Sequence, residues 1–407
     1  MELFPVGRVF DFMGKRRYFI ALSLIIVAGS LVSLVWPGPK LGTDFRGGTE
    51  IEVAFTQPTN SGDVRKAVIA SGFAQPDVVK VDDASNPYRY LIRVQEVSTI
   101  DEAKQAEIER ALCFGEDLPA AECSAEHAAT EVKFSPGGDK VSVRFGGAPD
   151  LAWVRQRIGK VSGITLRAGE NDISVQSSRE NRVEIALQSR GDQLMDGLRQ
   201  RLGPERVPAS ALRVEWIGPK AGAQLRNSAF VSVLLSIVFI GAYIAFRFDL
   251  RFAPGAVLSL LHDAIGLIGV WILLGKEINL ATIASVLTVV GYSINDTVIV
   301  YDRVRENLGK MRAASFDTLI NTSLSEMLSR TVLTSGTTVM SLLAFFLWGT
   351  GALKDFALSL IIGIVLGTYS SIYVSLPITE WFDKHLFAKR AAKKPRRAAA
   401  KRASAST

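Results

Sequence analysis

Six apolar runs, each long enough to cross a bilayer, stand apart from one long polar stretch in this chain. The runs are 18–36, 227–246, 252–274, 279–301, 331–348 (opened by Arg330) and 356–376. Residues 37–226 separate the first run from the other five, and there the pattern changes. Val141-Ser142-Val143-Arg144-Phe145 and Arg182-Val183-Glu184-Ile185-Ala186-Leu187 alternate with period two, as half-buried strands do. The first half of the stretch reads as strand 50–55, helix 62–71, strands 78–81 and 90–97, helix 100–112 and strand 130–134. The second half reads as strand 140–145, helix 150–159, strands 173–175 and 182–187, helix 192–202 and strand 211–216. Two consecutive β-α-β-β-α-β units, at 49–134 and 140–216, are therefore expected, each a ferredoxin-like motif.

The expected fold class is an α-helical polytopic membrane protein with six transmembrane helices and an α+β domain outside the membrane. Between the fourth and fifth runs, in 302–329, Phe316, Leu319, Ile320, Leu324, Met327 and Leu328 mark an amphipathic helix along the inner interface. Ser315 is placed to cap it.

Composition agrees. With 48% hydrophobic and 21% charged residues and a mean hydropathy of +0.22, the chain is too apolar for an ordinary soluble protein. The net charge of +7 sorts by loop. Lys15, Arg16 and Arg17 precede the first run, which places residues 1–17 in the cytoplasm by the positive-inside rule. Alternation then puts Arg247, Arg251, the basic segment from Arg303 to Arg312 and the tail 383–407 on the same side. The large domain falls outside. Trp36, Trp271, Trp348 and Trp381 sit near run ends, as an interfacial belt would have them. Val35-Trp36-Pro37 offers no small-residue cleavage site, so the first run reads as a retained anchor. The Lys/Arg/Ala-rich tail points to anionic lipid rather than nucleic acid.

Cys113 and Cys123 form a local disulfide or remain two thiols; the sequence leaves both open. With only His127 nearby they do not make a metal site, and no cofactor is expected. The outer stretch contains no nucleophile–base pair and no phosphate loop.

The sharpest chemical feature is Asp296, flanked by Asn295 and Thr297 near the end of the fourth run. Carboxylates at bilayer depth are costly and mark ion or proton pathways. Ser285, Thr288, Tyr292, Asn295 and Asp296 recur three to four apart, and so do Arg330, Thr334, Thr337 and Ser341. Two such stripes predict facing helices and an Asp296–Arg330 pair. That pair is either static packing or a balanced site: burial penalises the anion while the guanidinium favours it. His262-Asp263, mid-way along the third run, is either a structural pair or a secondary proton site. Gly363 and Gly367 have the small-xxx-small spacing of closely packed helices. Gly42, Asp44, Phe45, Gly47 and Gly48 form the entry to the outer stretch, and Gly218, Pro219 and Gly222 its exit.

These segments, with Ser293-Ile294-Asn295-Asp296-Thr297-Val298 running into Asp302-Arg303, Ser329-Arg330-Thr331 and Gly367-Thr368-Tyr369-Ser370-Ser371, resemble the SecF family in content and order. SecF is one subunit of the bacterial SecD–SecF export complex, in the proton-driven resistance-nodulation-division (RND) superfamily. The resemblance implies an RND-like half in the inner membrane whose outer domain is periplasmic. It implies SecD as partner, SecYEG, SecA, YajC and YidC as neighbours, and a preprotein as cargo. It also implies proton conduction through Asp296 and Arg330. Members have a single outer ferredoxin-like unit; this chain carries an extra one, roughly 115–173. One half without a second argues against the rival reading, a stand-alone proton-coupled exporter of small molecules or lipids. An intramembrane aspartyl protease is disfavoured because no run contains Gly-x-Gly-Asp. A passive scaffold is the third alternative.

Overall fold

The computed structural model describes the chain except residues 1–3, 6–7, 82–85, 97–99, 101, 116–122, 124–127, 136, 168–171, 249, 312–313, 350 and 388–407. The basic tail from 388 onward, and His127, therefore lie outside the described residues. In chain order the elements begin α1 (Arg16–Val35), β1 (Lys40–Leu41), α2 (Thr43–Arg46), β2 (Gly48–Ala54), α3 (Ser61–Ala70), β3 (Asp77–Lys80) and β4 (Arg89–Val94). Then come α4 (Glu102–Ala111), β5 (Ala129–Phe134), β6 (Lys140–Phe145), α5 (Leu151–Ile158), β7 (Ile173–Ser177) and β8 (Arg182–Ala186). Next are α6 (Arg190–Leu202), β9 (Arg213–Ile217), α7 (Pro219–Arg247), α8 (Ala253–Leu273) and β10 (Glu277–Ile278). The chain ends with α9 (Leu280–Lys310), α10 (Phe316–Trp348), α11 (Gly351–Ser370), a wide π-helical turn (Ser371–Ser375), α12 (Leu376–Phe382) and a second such turn (Asp383–Phe387). Two units result, one of residues 1–42 with 227–407, the other of residues 43–226.

Among the described residues, six helical segments are long and apolar enough to cross a membrane: α1, α7, α8, α9, α10, and α11 continued through α12. Helix α9 packs on α8, α10 and α11, and α1 lies against α8. Small residues set these approaches. A Cβ on Gly363 would meet Val289 Cγ2 at 2.1 Å, and one on Gly367 would meet Ser293 Cβ at 2.9 Å. A Cβ on Gly269 would fall 2.2 Å from Ser30 Cβ. The amphipathic segment expected along the interface continues without a break into the fifth spanning helix as α10. Its buried residues Leu319, Ile320 and Leu324 pack with Met13, Tyr301 and Val304. Trp36, Trp348 and Trp381 are exposed, as a belt requires, but Trp271 is buried and donates to the Glu277 carbonyl at 2.9 Å. That bond anchors the short segment β10, which pairs in parallel with β1 in the register Lys40↔Glu277, Leu41↔Ile278. Gly42 N–H extends the ladder to the Ile278 carbonyl at 2.9 Å.

The second unit corrects the expected repeat. Both sheets are antiparallel and four-stranded, in the orders β3-β4-β2-β9 and β5-β6-β8-β7. The first is closed by α3 and α6 over Ile51, Val53, Ile92, Val68, Leu194 and Leu198. Its chain order, β2-α3-β3-β4-α6-β9, is the split βαβ motif. Everything from α4 to β8 is inserted between β4 and α6 and builds the second sheet over Ile108, Val141, Val143, Val154, Val183 and Ile185. The helix near 100–112 and strand near 130–134 thus belong to the inserted unit, while 192–202 and 211–216 return to the first. The units are nested, not consecutive. The inserted order α4-β5-β6-α5-β7-β8 is the same motif started from its second helix, a circular permutation. Alternation fixed each strand's buried face but not its sheet, because either pairing satisfies the same pattern. Pairing Gly48 with Ile217 lets the chain enter and leave the unit side by side.

Cys113 and Cys123 are joined by a disulfide, with Cα atoms 5.6 Å apart. Nearby in the inserted unit, Arg155 Nε donates to Asp172 Oδ2 at 2.9 Å, and Asp172 is buried. The Arg155 hydrogen bond holds the Asp172 carboxyl below the usual carboxylate range, against the opposing effect of burial. A depressed folded-state pKa contributes stability above the unfolded value, near 3.9, and loses it as pH falls through the folded value. The stability difference between the native chain and Asp172→Asn should thus be constant above about pH 5 and shrink progressively below about pH 4. Urea unfolding followed across that range checks this; a difference that grows on acidification would contradict it.

Candidate functional site

Asparagine 279 opens α9 with a capping box, its side chain accepting from Thr282 N–H at 2.9 Å. From that fixed start, Asp296 lies about 24 Å along the helix axis, close to the far side of a ~30 Å hydrocarbon slab. Its side chain is fully buried. Because Gly363 and Gly367 draw α11 against α9, Thr368 reaches the carboxylate. Asp296 Oδ2 accepts from Ser335 Oγ of α10 at 3.2 Å and Thr368 Oγ1 at 3.4 Å, and the two hydroxyls are 2.8 Å apart. Oδ1 has no hydrogen-bond partner among the described residues.

The expected pair with Arg330 is not present: no ion pair within 4.0 Å joins them among the described residues, and Arg330 is exposed. The geometry is simple. Arg330 precedes Ser335 by five residues, which at 100° per residue turns it about 140° away from the side facing Asp296. On α10 the residues turned inward are Thr331, Ser335 and Thr338, the last 3.2 Å from the Tyr292 hydroxyl. The stripe read from Arg330, Thr334, Thr337 and Ser341 lies one position out of phase, with Thr337 and Ser341 exposed. On α9, Thr297 is buried but donates back to the Ser293 carbonyl at 3.2 Å, and Asn295 is exposed with Thr288.

His262 and Asp263 are both buried on α8. His262 Nδ1 is 3.0 Å from Asp263 Oδ1, while Asp263 Oδ2 accepts from Ser293 Oγ at 2.6 Å and Ser370 Oγ at 2.8 Å. Ser259 in turn donates to Ser370 at 3.0 Å. One carboxylate therefore joins α8, α9 and α11. A third polar knot lies toward the basic end, where Tyr301 OH meets Ser375 Oγ at 2.6 Å and Thr379 Oγ1 at 2.9 Å. Gly255 makes room for it, since a Cβ there would fall 2.6 Å from the Tyr301 hydroxyl. Of these hydroxyls, Ser259, Ser335, Ser375 and Thr379 carry no mark in the sequence that would single them out. Their only signal is a place on the small-residue face of a spanning helix.

The glycine entry and exit are geometric. Gly47 and Gly48 have φ of +78° and +125°, a region closed to side chains at low cost. Phe45 is buried and lies, with Asp44, in the helical turn α2. Added Cβ atoms would fall 2.8 Å from Pro219 Cα at Gly47, 2.5 Å from the Val94 carbonyl at Gly48 and 3.0 Å from Gly47 N at Gly222. Pro219 starts α7, and Gly218 faces open space. A Cβ on Gly42 would come 3.2 Å from Asn279 Cβ. No cluster of three or more metal-ligating side chains occurs among the described residues.

Two family models match: the C-terminal region of the protein export membrane proteins SecD/SecF over residues 203–385, and the SecD/SecF GG motif over residues 32–59. Protein translocase subunit SecF of Koribacter versatilis is 32% identical over 93% of this chain and 92% of its own. That of Magnetococcus marinus is 32% identical over 94% and 95%. Crystal structures of SecDF, one of them the translocon-associated protein from Thermus thermophilus, superpose with TM-scores of 0.63 and 0.54 at 26% and 27% identity. They cover 94% and 96% of this chain, which spans about 40% of the first solved chain and 41% of the second. A six-helix bundle, a glycine-built entry and matched relatives along nearly the whole length converge on one assignment: the chain belongs to the SecF family of protein translocase subunits, multi-pass membrane proteins that partner SecD in the Sec pathway.

Proposed function

We propose that this subunit, together with SecD, uses the proton motive force to complete preprotein translocation, with Asp296 as the proton carrier. The observation that carries the reading is the unpartnered Oδ1 of a fully buried carboxylate. An ionised carboxylate without a cation is costly at bilayer depth, whereas a proton on Oδ1 neutralises it. Its hydroxyl partners sit on α10 and α11, so a change in charge is felt by three helices at once. Arg330 has a different part from a static partner. With Asn295 it makes an exposed polar face on α9 and α10, while the exposed Thr288, Thr337 and Ser341 hydroxyls donate to carbonyls of their own helices. Lipid does not satisfy a guanidinium or an amide. That face is the surface offered to SecD, and Arg330 meets Asp296 only when α10 turns.

In this reading the subunit lies in the bacterial inner membrane with both termini cytoplasmic, as the basic loops favour. The large domain is periplasmic, where the Cys113–Cys123 disulfide is at home. There it meets the preprotein after SecYEG and SecA have begun export, with YajC and YidC as further neighbours, and the basic tail engages anionic lipid. The test is export completion in inverted vesicles with and without this subunit. A stimulation that vanishes when the proton gradient is collapsed supports the function. Equal stimulation in collapsed vesicles refutes proton coupling.

A further inference from the structure

Of the buried side-chain polar atoms lacking a partner among the described residues, two lie in the membrane unit: Asp296 Oδ1 and His262 Nε2. The first belongs to the proposed carrier. The second is unexplained. Asp263, to which His262 is bonded, has both oxygens engaged, with the imidazole on Oδ1 and two serine hydroxyls on Oδ2. Three donors of this kind suit an ionised carboxylate. With Asp263 ionised and accepting from all three, the proton between the residues sits on Nδ1 and Nε2 is left as a bare acceptor inside the bundle.

The surroundings offer little to balance that carboxylate. His262 and Asp263 are the only ionisable residues of α8, and α1 has none between Tyr18 and Trp36 apart from serines that merely hydrogen-bond. Helix α11 brings Tyr369, whose ring lies 6.1 Å from the imidazole, and Lys354 and Asp355 at its opposite end. The wide turn brings Tyr373, and α9 brings Tyr292, Asp296 and Tyr301. Glu380 of α12 is held by Arg16 at 2.8 Å, and Glu277 lies beyond the far end of α8. An imidazolium is therefore the nearest available counter-charge.

We propose that His262 and Asp263 form a second proton-binding site of the bundle, in which His262 Nε2 takes a proton and turns an anionic pair into a neutral one. The proposal builds on the reading of Asp296 but does not depend on it for its own chemistry. The ring lines a cavity of about 650 Å³ between α1, α8 and the 371–382 segment, otherwise walled by side chains such as Val27, Leu258, Ile265 and Pro377. Nε2 itself is buried, so proton uptake from this side requires the ring edge to open to the cavity and water to enter it. Its effect is passed on through Asp263. Ser293 lies one turn before Asp296 on α9, and Ser370 lies two residues after Thr368 on α11. The charge of the pair thus sets how firmly the two helices that hold Asp296 are tied to α8.

The chain contains three histidines, which makes the site directly observable. The full chain, labelled with ¹⁵N-histidine and reconstituted with unlabelled SecD, would be followed by NMR, with His127→Gln and His385→Gln assigning the signals. Nε2 of His262 is expected to pass from the unprotonated to the protonated type between about pH 8 and pH 5, the range in which imidazole changes charge. The same passage is expected in Asp296→Asn, which separates this site from the carrier. An Nε2 signal of one type throughout the range overturns the proposal, while leaving the reading of Asp296 untouched. His262→Gln keeps a donor for Asp263 but cannot take up the proton, so gradient-driven export should fall by about tenfold or more. Wild-type export by His262→Gln would mean the imidazole serves only to hold Asp263, and would overturn the proposal as well.

Discussion

Asp296→Asn is expected to abolish the gradient-dependent part of preprotein export while leaving the bundle assembled. Asparagine has nearly the same shape, and its carbonyl oxygen can still accept from Ser335 and Thr368. What it lacks is the ability to bind and release a proton. One charge moved through 100 mV is worth about 2.3 kcal/mol. At about 1.4 kcal/mol per factor of ten, that biases a two-state bundle by roughly fifty-fold. Export in the presence of a gradient should fall by about that factor, to the level seen when the gradient is collapsed. Co-purification with SecD should be unchanged, which separates lost proton handling from lost assembly. Undiminished gradient stimulation in Asp296→Asn would remove Asp296 from the mechanism.

The second large effect lies outside the bundle. Gly48→Ala combines two penalties: a φ of +125° that a side chain rarely adopts, and a Cβ placed 2.5 Å from the Val94 carbonyl. The obstacle is backbone in the paired strand β4, so the contact is relieved only by parting β2 from β4. A loss of about 3 kcal/mol or more is expected. Gly218→Ala is the control, because that glycine has no positive φ and meets nothing within 4 Å. It should stay within about 0.5 kcal/mol of the native chain. Pulse proteolysis of the intact protein in urea measures both. Equal stability of the two variants would show that the second glycine of the entry is not there for backbone geometry.

Much of this fold was legible because burial and periodicity are local. Six helices long enough to span follow from run length, and nearly every strand of the second unit follows from alternation, as in Val141-Ser142-Val143-Arg144-Phe145. The nesting of the two sheets was not legible. Nothing in the pattern of Ala129–Phe134 or Arg213–Ile217 says which sheet will receive it, since partner choice is a long-range property. Asp296 was conspicuous because a buried acid is rare. Its partners were not: Thr368 stands out only inside a longer motif and Ser335 not at all, because their importance depends on the rotation of helices α10 and α11. A charge drew the sequence reading to Arg330, and a phase difference of one residue moved the contact to hydroxyls. Likewise Trp271 looked like an interfacial aromatic until its indole was found to be holding β10.

The two-residue pairing of β1 with β10 has a mechanical consequence. Ile278 is followed directly by Asn279, the cap of α9, and Leu41 is separated from Thr43 by Gly42 alone. The rod carrying the buried acid and the stalk leading into the second unit are thereby pinned together by backbone hydrogen bonds, with almost no slack between them. Under the proposed mechanism, sliding or tilting of that rod would be transmitted to the stalk through these backbone hydrogen bonds, with no flexible loop between the two.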